Sequence, residues 1–192
     1  MFETLEDIRA DIAARLGEAA SNRRSAMHVP VVGTTDGDLR MMVLRAFDPG
    51  DWTLRFHTDV RSPKVATIGQ GGRVSVLLHD PEAKMQLRCR GQGRIETQGG
   101  VADAAWAEAT NYAKRCYLSE AAPGAHSEAA TSGLPAEVEG INPSAEQLLP
   151  ARANFAVLLV DITSVDWLYL AHDGHRRAQF SVPGGAGRWV VP

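Results

Sequence analysis

Arg40-Met41-Met42-Val43-Leu44-Arg45 reads as a strand, and Trp52-Thr53-Leu54-Arg55-Phe56-His57-Thr58 alternates as a second one. Asp59-Val60-Arg61-Ser62-Pro63-Lys64 then leads into a short helix expected over Pro63 to Gln70. Gly69, Gly71 and Gly72 follow a helix and precede a strand, which suits a left-handed helix end and not a dinucleotide fingerprint. Two arginines, a lysine and several hydroxyls thus gather around one strand-to-helix turn. Free N–H groups, cations and hydroxyls of this kind suit a phosphate-bearing ligand.

Strand patterning extends on both sides of this turn. Met27 to Thr35 reads as a strand, Asp36-Gly37-Asp38 as a tight turn, and Leu39 to Phe47 as the hairpin partner. Asp48-Pro49-Gly50-Asp51 and Asp80-Pro81 are further turns, with strands at Val74 to His79 and Met85 to Glu96. Five antiparallel strands so closely spaced escape exposed edges best by curling into a barrel.

Toward the N-terminus, residues 1–22 read as a helix. Thr4 caps it, and Leu5, Ile8, Ile12 and Leu16 face the sheet. A second helix is expected over Val101 to Tyr117, with Ala102, Ala105, Trp106, Ala109, Ala113 and Cys116 on one face. Residues 119–150 are rich in Ala, Gly, Pro and Ser and read as a long mobile excursion, with one helical turn capped at Asn142-Pro143-Ser144. Strands resume at Phe155 to Ile162, Val165 to Leu170, Arg176 to Ser181 and Arg188 to Val191. The expected fold is mainly β (α+β): one domain over 1–192, a split antiparallel β-barrel of six to eight strands with peripheral helices.

Composition narrows the function classes. The chain has 192 residues, 44% hydrophobic and 22% charged, and a net charge of −3, which suits a globular domain without a general nucleic-acid or membrane surface. Cations instead cluster at Arg40/Arg45, Arg61/Lys64, Arg88/Arg90/Arg94 and Arg176/Arg177. Cys89 and Cys116 have no metal spacing, and Glu3, Glu6 and Asp7 are incompatible with a secretory signal, so free thiols and a cytoplasmic location are expected. His172 and His175 lack the companions of a zinc site, and no metal is expected there.

The succession Arg40 to Arg45, His57-Thr58, Arg61-Ser62-Pro63-Lys64, Gln86 and Trp167 with His175-Arg176-Arg177 resembles the pyridoxamine 5′-phosphate oxidase family, the FMN-binding split barrels. The resemblance implies an FMN cofactor and a homodimer with FMN in clefts at its interface. It assigns Arg40 and Lys64 to the FMN phosphate. The family's usual Arg-Lys pair is here Pro63-Lys64, so Arg61 is a candidate for the missing guanidinium, with Ser62 beside it. By the same resemblance Met41, Val43, His57, Thr58 and Gln86 contact the flavin, while Trp167 and Arg177 close over it. Arg45, His175 and Arg177 are the candidate catalytic residues. Asp173 stands where pyridoxamine phosphate oxidases carry a substrate-holding arginine, which predicts poor handling of a phosphorylated substrate. Tyr117 and Arg115 align only loosely with the family's middle helix.

Each residue also has a simpler reading. A strand arginine is commonly solvated or salt-bridged, Trp167 in an apolar strand is a core or interface aromatic by default, and Gln86 can cap a ladder. Three hypotheses follow: an FMN-dependent oxidoreductase acting on a small substrate, a non-catalytic flavin- or haem-binding split barrel, and a structural dimer without cofactor. The colour of the purified protein separates them.

Overall fold

The computed structural model describes residues 3–192, so the start of the expected 1–22 helix at Met1 and Phe2 lies outside the described residues. Helix α1 spans Leu5–Ser21 and begins where expected: the Thr4 hydroxyl accepts the Asp7 N–H at 3.1 Å. Ile8, Ile12 and Leu16 are fully buried, and α1 packs on β3 and β9. The remaining elements are β1 (Val31–Thr34), β2 (Leu39–Met41), β3 (Leu44–Asp48), β4 (Thr53–Asp59), α2 (Pro63–Ile68), β5 (Gln70–Asp80) and β6 (Met85–Glu96). After them come α3 (Gly100–Glu108), α4 (Asn111–Lys114), β7 (Phe155–Tyr169), β8 (Arg176–Ser181) and β9 (Gly187–Val190).

The strands form one sheet in the order β2-β1-β5-β6-β7-β4-β3, with β8 pairing β7 and β9 pairing β8. Short antiparallel hairpins join β1 to β2 and β5 to β6. Gly37, at φ +84°, makes the first turn possible, and Gly69, at φ +51°, ends α2 as the glycine pattern implied. Nine strands exceed the six to eight expected, while the mainly β class stands.

Several element boundaries differ from the sequence reading. The expected strand Leu39 to Phe47 is two strands, β2 pairing β1 and β3 pairing β4. Between them the Met42 and Leu44 N–H groups donate to the carbonyls of Pro30 and His28. Pro30 has no N–H to return, so a two-sided ladder cannot continue there, and the expected strand from Met27 starts only at Val31. The expected helix Val101 to Tyr117 breaks at Ala109, whose backbone is extended, and restarts where the Thr110 hydroxyl accepts the Ala113 N–H. Phe155 to Ile162 and Val165 to Leu170 are one strand, β7, and its second half pairs β8 in register from Ser164↔Ser181 to Tyr169↔Arg176.

By packing, the chain falls into two compact units: residues up to 56 with 68–94 and 159–192, and residues 57–67 with 95–158. The first has a core of Leu44, Leu54, Phe56, Leu78, Leu87, Val165 and Trp167, all essentially fully buried. In the second, Phe155 is the centre of an aromatic cluster with His57, Trp106 and Tyr117 at centroid distances of 4.9, 5.2 and 5.1 Å. Residues 119–150 contain no α-helix or strand, but Ser144 and Gln147 form a reciprocal capping box at the expected turn. No helix among the described residues is long and apolar enough to cross a membrane.

Candidate functional site

The sequence-predicted site residues divide between the two units. In the second unit, β4 delivers His57, Thr58 and Asp59, and the chain then turns through Arg61 and Ser62 into α2. Asp59 organises this turn. It is buried, its Oδ1 accepts the Arg61 backbone N–H at 2.8 Å and Nε at 3.0 Å, and its Oδ2 accepts Nη2 at 2.7 Å. The hydrogen bond and charge of Asp59 raise the Arg61 pKa above its ordinary value against a smaller effect of burial. Arg61 Nη1 reaches the Glu120 carbonyl at 3.4 Å, so all three guanidinium nitrogens are engaged. The Lys64 ammonium donates to the hydroxyl of buried Ser62. Thr58 is buried, and His57 is half-buried edge-on against Phe155.

In the first unit, Arg40 on β2 donates to Thr34 Oγ1 at 2.9 Å and pairs with Asp38. Met41 is exposed, whereas Val43 and Arg45 are half-buried. Gln86 is half-buried on β6, opposite His79 of β5. Trp167 is fully buried and stacks on Tyr169 at 6.2 Å, with Trp189 at 6.5 Å, so its default core reading describes the isolated chain. His175, Arg176 and Arg177 line one cavity of 490 Å³ with Trp189, which brings two of the three candidate catalytic residues together. Asp173 is exposed, Tyr117 is buried, and Arg115 is held by the Ile141 carbonyl.

A buried acid that the sequence reading passed over commands this second group. Asp166 is 2% exposed; its Oδ1 accepts Arg177 Nε at 2.9 Å. Its Oδ2 accepts Arg177 Nη2 at 2.7 Å, Arg88 Nη2 at 3.0 Å and Gln179 Nε2 at 3.1 Å. Burial alone would raise its pKa, but the hydrogen bonds from Arg177, Gln179 and Arg88 prevail and hold it down at about 2. The same bond to Asp166 raises the Arg177 pKa. Gln179 extends the network by accepting Arg188 Nη2 at 2.9 Å. The signal was present in the sequence: an acid between the apolar residues Val165 and Trp167 needs a cationic partner if it is buried with them. Of the two thiols, Cys89 is pushed up to about 12 by burial, which makes it inert, and Cys116 is exposed.

The family model described as pyridoxamine 5′-phosphate oxidase, FMN-binding domain, matches residues 12–97. That span contains Arg40, Arg45, His57, Lys64 and Gln86. Over residues 12–97 the chain is similar to an FMN-binding domain of the pyridoxamine 5′-phosphate oxidase type. A solved structure of a pyridoxamine 5′-phosphate oxidase-related, FMN-binding protein from Nostoc punctiforme superposes with a TM-score of 0.71 at 23% identity, covering 96% of each chain. PhzG from Burkholderia lata, solved with tetrahydrophenazine-1-carboxylic acid, gives 0.66 at 17% identity, covering 95% of this chain and 91% of that one. A general stress FMN/FAD-binding protein from Xanthomonas citri gives 0.53 at 14%, covering 94% and 96%. These likenesses establish the split-barrel fold. No curated protein matches the chain.

Proposed function

We propose that the protein is an FMN-dependent oxidoreductase that moves a hydride between a small substrate and the flavin. The observation that carries this reading is the Ser62–Lys64 contact at the strand-to-helix turn, inside the segment matched by the FMN-binding domain. Hydroxyl and ammonium donors converging beside the Asp59–Arg61 pair fit a phosphate dianion. Lys64, Ser62 and Arg40 would hold that phosphate, with Arg61 kept in place by Asp59. His57, Thr58, Met41, Val43 and Gln86 would contact the ring, and Trp167 and Arg177 its closing side.

FMN, when bound, supplies the hydride-accepting chemistry. The chain's own part is binding and electrostatics. Arg45 and Arg177 would set the charge beside the reacting groups, and His175 would contact substrate from the cavity it shares with Arg177. Asp173 would disfavour a phosphorylated substrate, so pyridoxamine 5′-phosphate should be turned over weakly. Efficient oxidation of that compound would overturn this part of the reading.

A flavin carrier without turnover is the second reading. It is favoured by one observation: Arg177 commits Nε and Nη2 to Asp166. Anaerobic mixing of the FMN-loaded protein with small amines and alcohols, followed as flavin bleaching in the reductive half-reaction, tests the enzyme reading against it. Bleaching by at least one class supports the enzyme, and a flavin that stays oxidised with all of them favours the carrier. A homodimer holding FMN between its chains is the assembly proposed for either reading.

A further inference from the structure

Arg90 and Ser164 line two adjoining cavities in the first unit, of 420 and 670 Å³, which together make a groove. Arg188 lies on the wall of the smaller cavity and Arg73 on that of the larger. None of these residues belongs to the flavin reading. Across β5 and β6 Ser75 pairs with Arg90 and Arg73 with Gln92, which makes Arg73 and Arg90 diagonal neighbours on one sheet face, about 7–8 Å apart. Four other strand arginines are neutralised: Arg40 by Asp38, Arg88 and Arg177 by Asp166, Arg94 by Asp161. Arg73 and Arg90 are both exposed and stand in no ion pair among the described residues. The acid on the groove wall, Asp166, is itself outnumbered by Arg88 and Arg177. Arg188 is oriented by a neutral acceptor, the Gln179 amide oxygen, and keeps its full charge. Ser75, Thr163 and Ser164 also line the larger cavity.

We infer that this groove is a second anion site, built for a small ligand carrying two adjacent anionic groups, phosphate or carboxylate. Two neighbouring guanidiniums without acids repel each other, and an anion bridging them relieves the repulsion while accepting charge-assisted hydrogen bonds. In a chain with a net charge of −3, such a concentration of uncompensated cations is a local feature that also draws anions in.

The test is calorimetric titration of the full-length protein as purified, first with inorganic pyrophosphate and then with succinate. Saturable binding of either salt is expected, and which of the two binds separates a phosphate ligand from a dicarboxylate. The double variant Arg73→Gln/Arg90→Gln should weaken that binding by about tenfold or more, with the thermal midpoint and flavin content unchanged. Lys64→Ala should leave it intact. No saturable binding of either salt, binding that survives the double substitution, or binding abolished by Lys64→Ala would overturn the proposal. Loss of flavin with pyrophosphate binding retained would count against the oxidoreductase reading alone.

Discussion

The turn from His57 to Lys64 and the network around Asp166 both gather cations, yet they use them in opposite ways. At Asp166 two guanidiniums and an amide converge on one buried carboxylate, so the charges satisfy each other and lock β6, β7 and β8 together. At the turn, Asp59 pairs with Arg61, and the Lys64 ammonium donates to the Ser62 hydroxyl at the start of a helix. The first arrangement ties strands together, while the second sits at the turn proposed for the FMN phosphate. Substitutions at the first should therefore be read in stability, and at the second in affinity.

Asp166→Ala gives the largest expected effect. It leaves Arg88 and Arg177 facing each other without an acid and should cost about 2–3 kcal/mol in denaturant unfolding. That is below the loss typical of a fully buried pair, because both guanidiniums keep some water. A loss under about 0.5 kcal/mol would place the network with ordinary surface pairs. Lys64→Ala should do the reverse, weakening FMN binding by about 1.5–3 kcal/mol with little change in stability. Unchanged affinity removes Lys64 from the phosphate site.

Acid should also distinguish the two regions. Asp166 has a folded pKa of about 2, depressed below the ordinary carboxylate value. Its contribution is therefore complete above about pH 4 and is lost as the pH falls toward 2, an amount of about 2 kcal/mol. Asp166→Asn should flatten that part of the stability curve, and an unaltered slope would contradict the assignment. Ser62→Ala is the smallest change, expected to lower FMN affinity by about 1 kcal/mol through loss of one hydrogen-bond partner. An equal loss of folding stability would show that Ser62 serves the turn alone.

Much of the fold was legible where local pattern and tertiary pairing agree. Met85 to Glu96 alternates, and it forms β6 with those bounds because its partner β5 runs alongside for nearly its whole length. Thr4, the glycines after α2 and the Ser144–Gln147 box worked for the same reason, since each cap is made within a few residues of its own helix. The misreadings arose where a distant residue decides. The Leu39 to Phe47 strand divides because its partner there is Pro30, and β7 runs unbroken because β8 takes up pairing at Ser164. Of the site, the residue types were readable but their partners were not. Asp59, which holds Arg61, is local enough to have been suspected, whereas Arg88, Asp166 and Arg177 meet across three strands and nothing in their spacing announces it.

The most direct measurement is the visible absorbance spectrum of the protein as purified, followed by titration with FMN. The account predicts either a bound-flavin spectrum from the outset or saturable uptake of one FMN per chain, weakened by Lys64→Ala. A colourless protein whose spectrum and fluorescence show no binding of added FMN would contradict it.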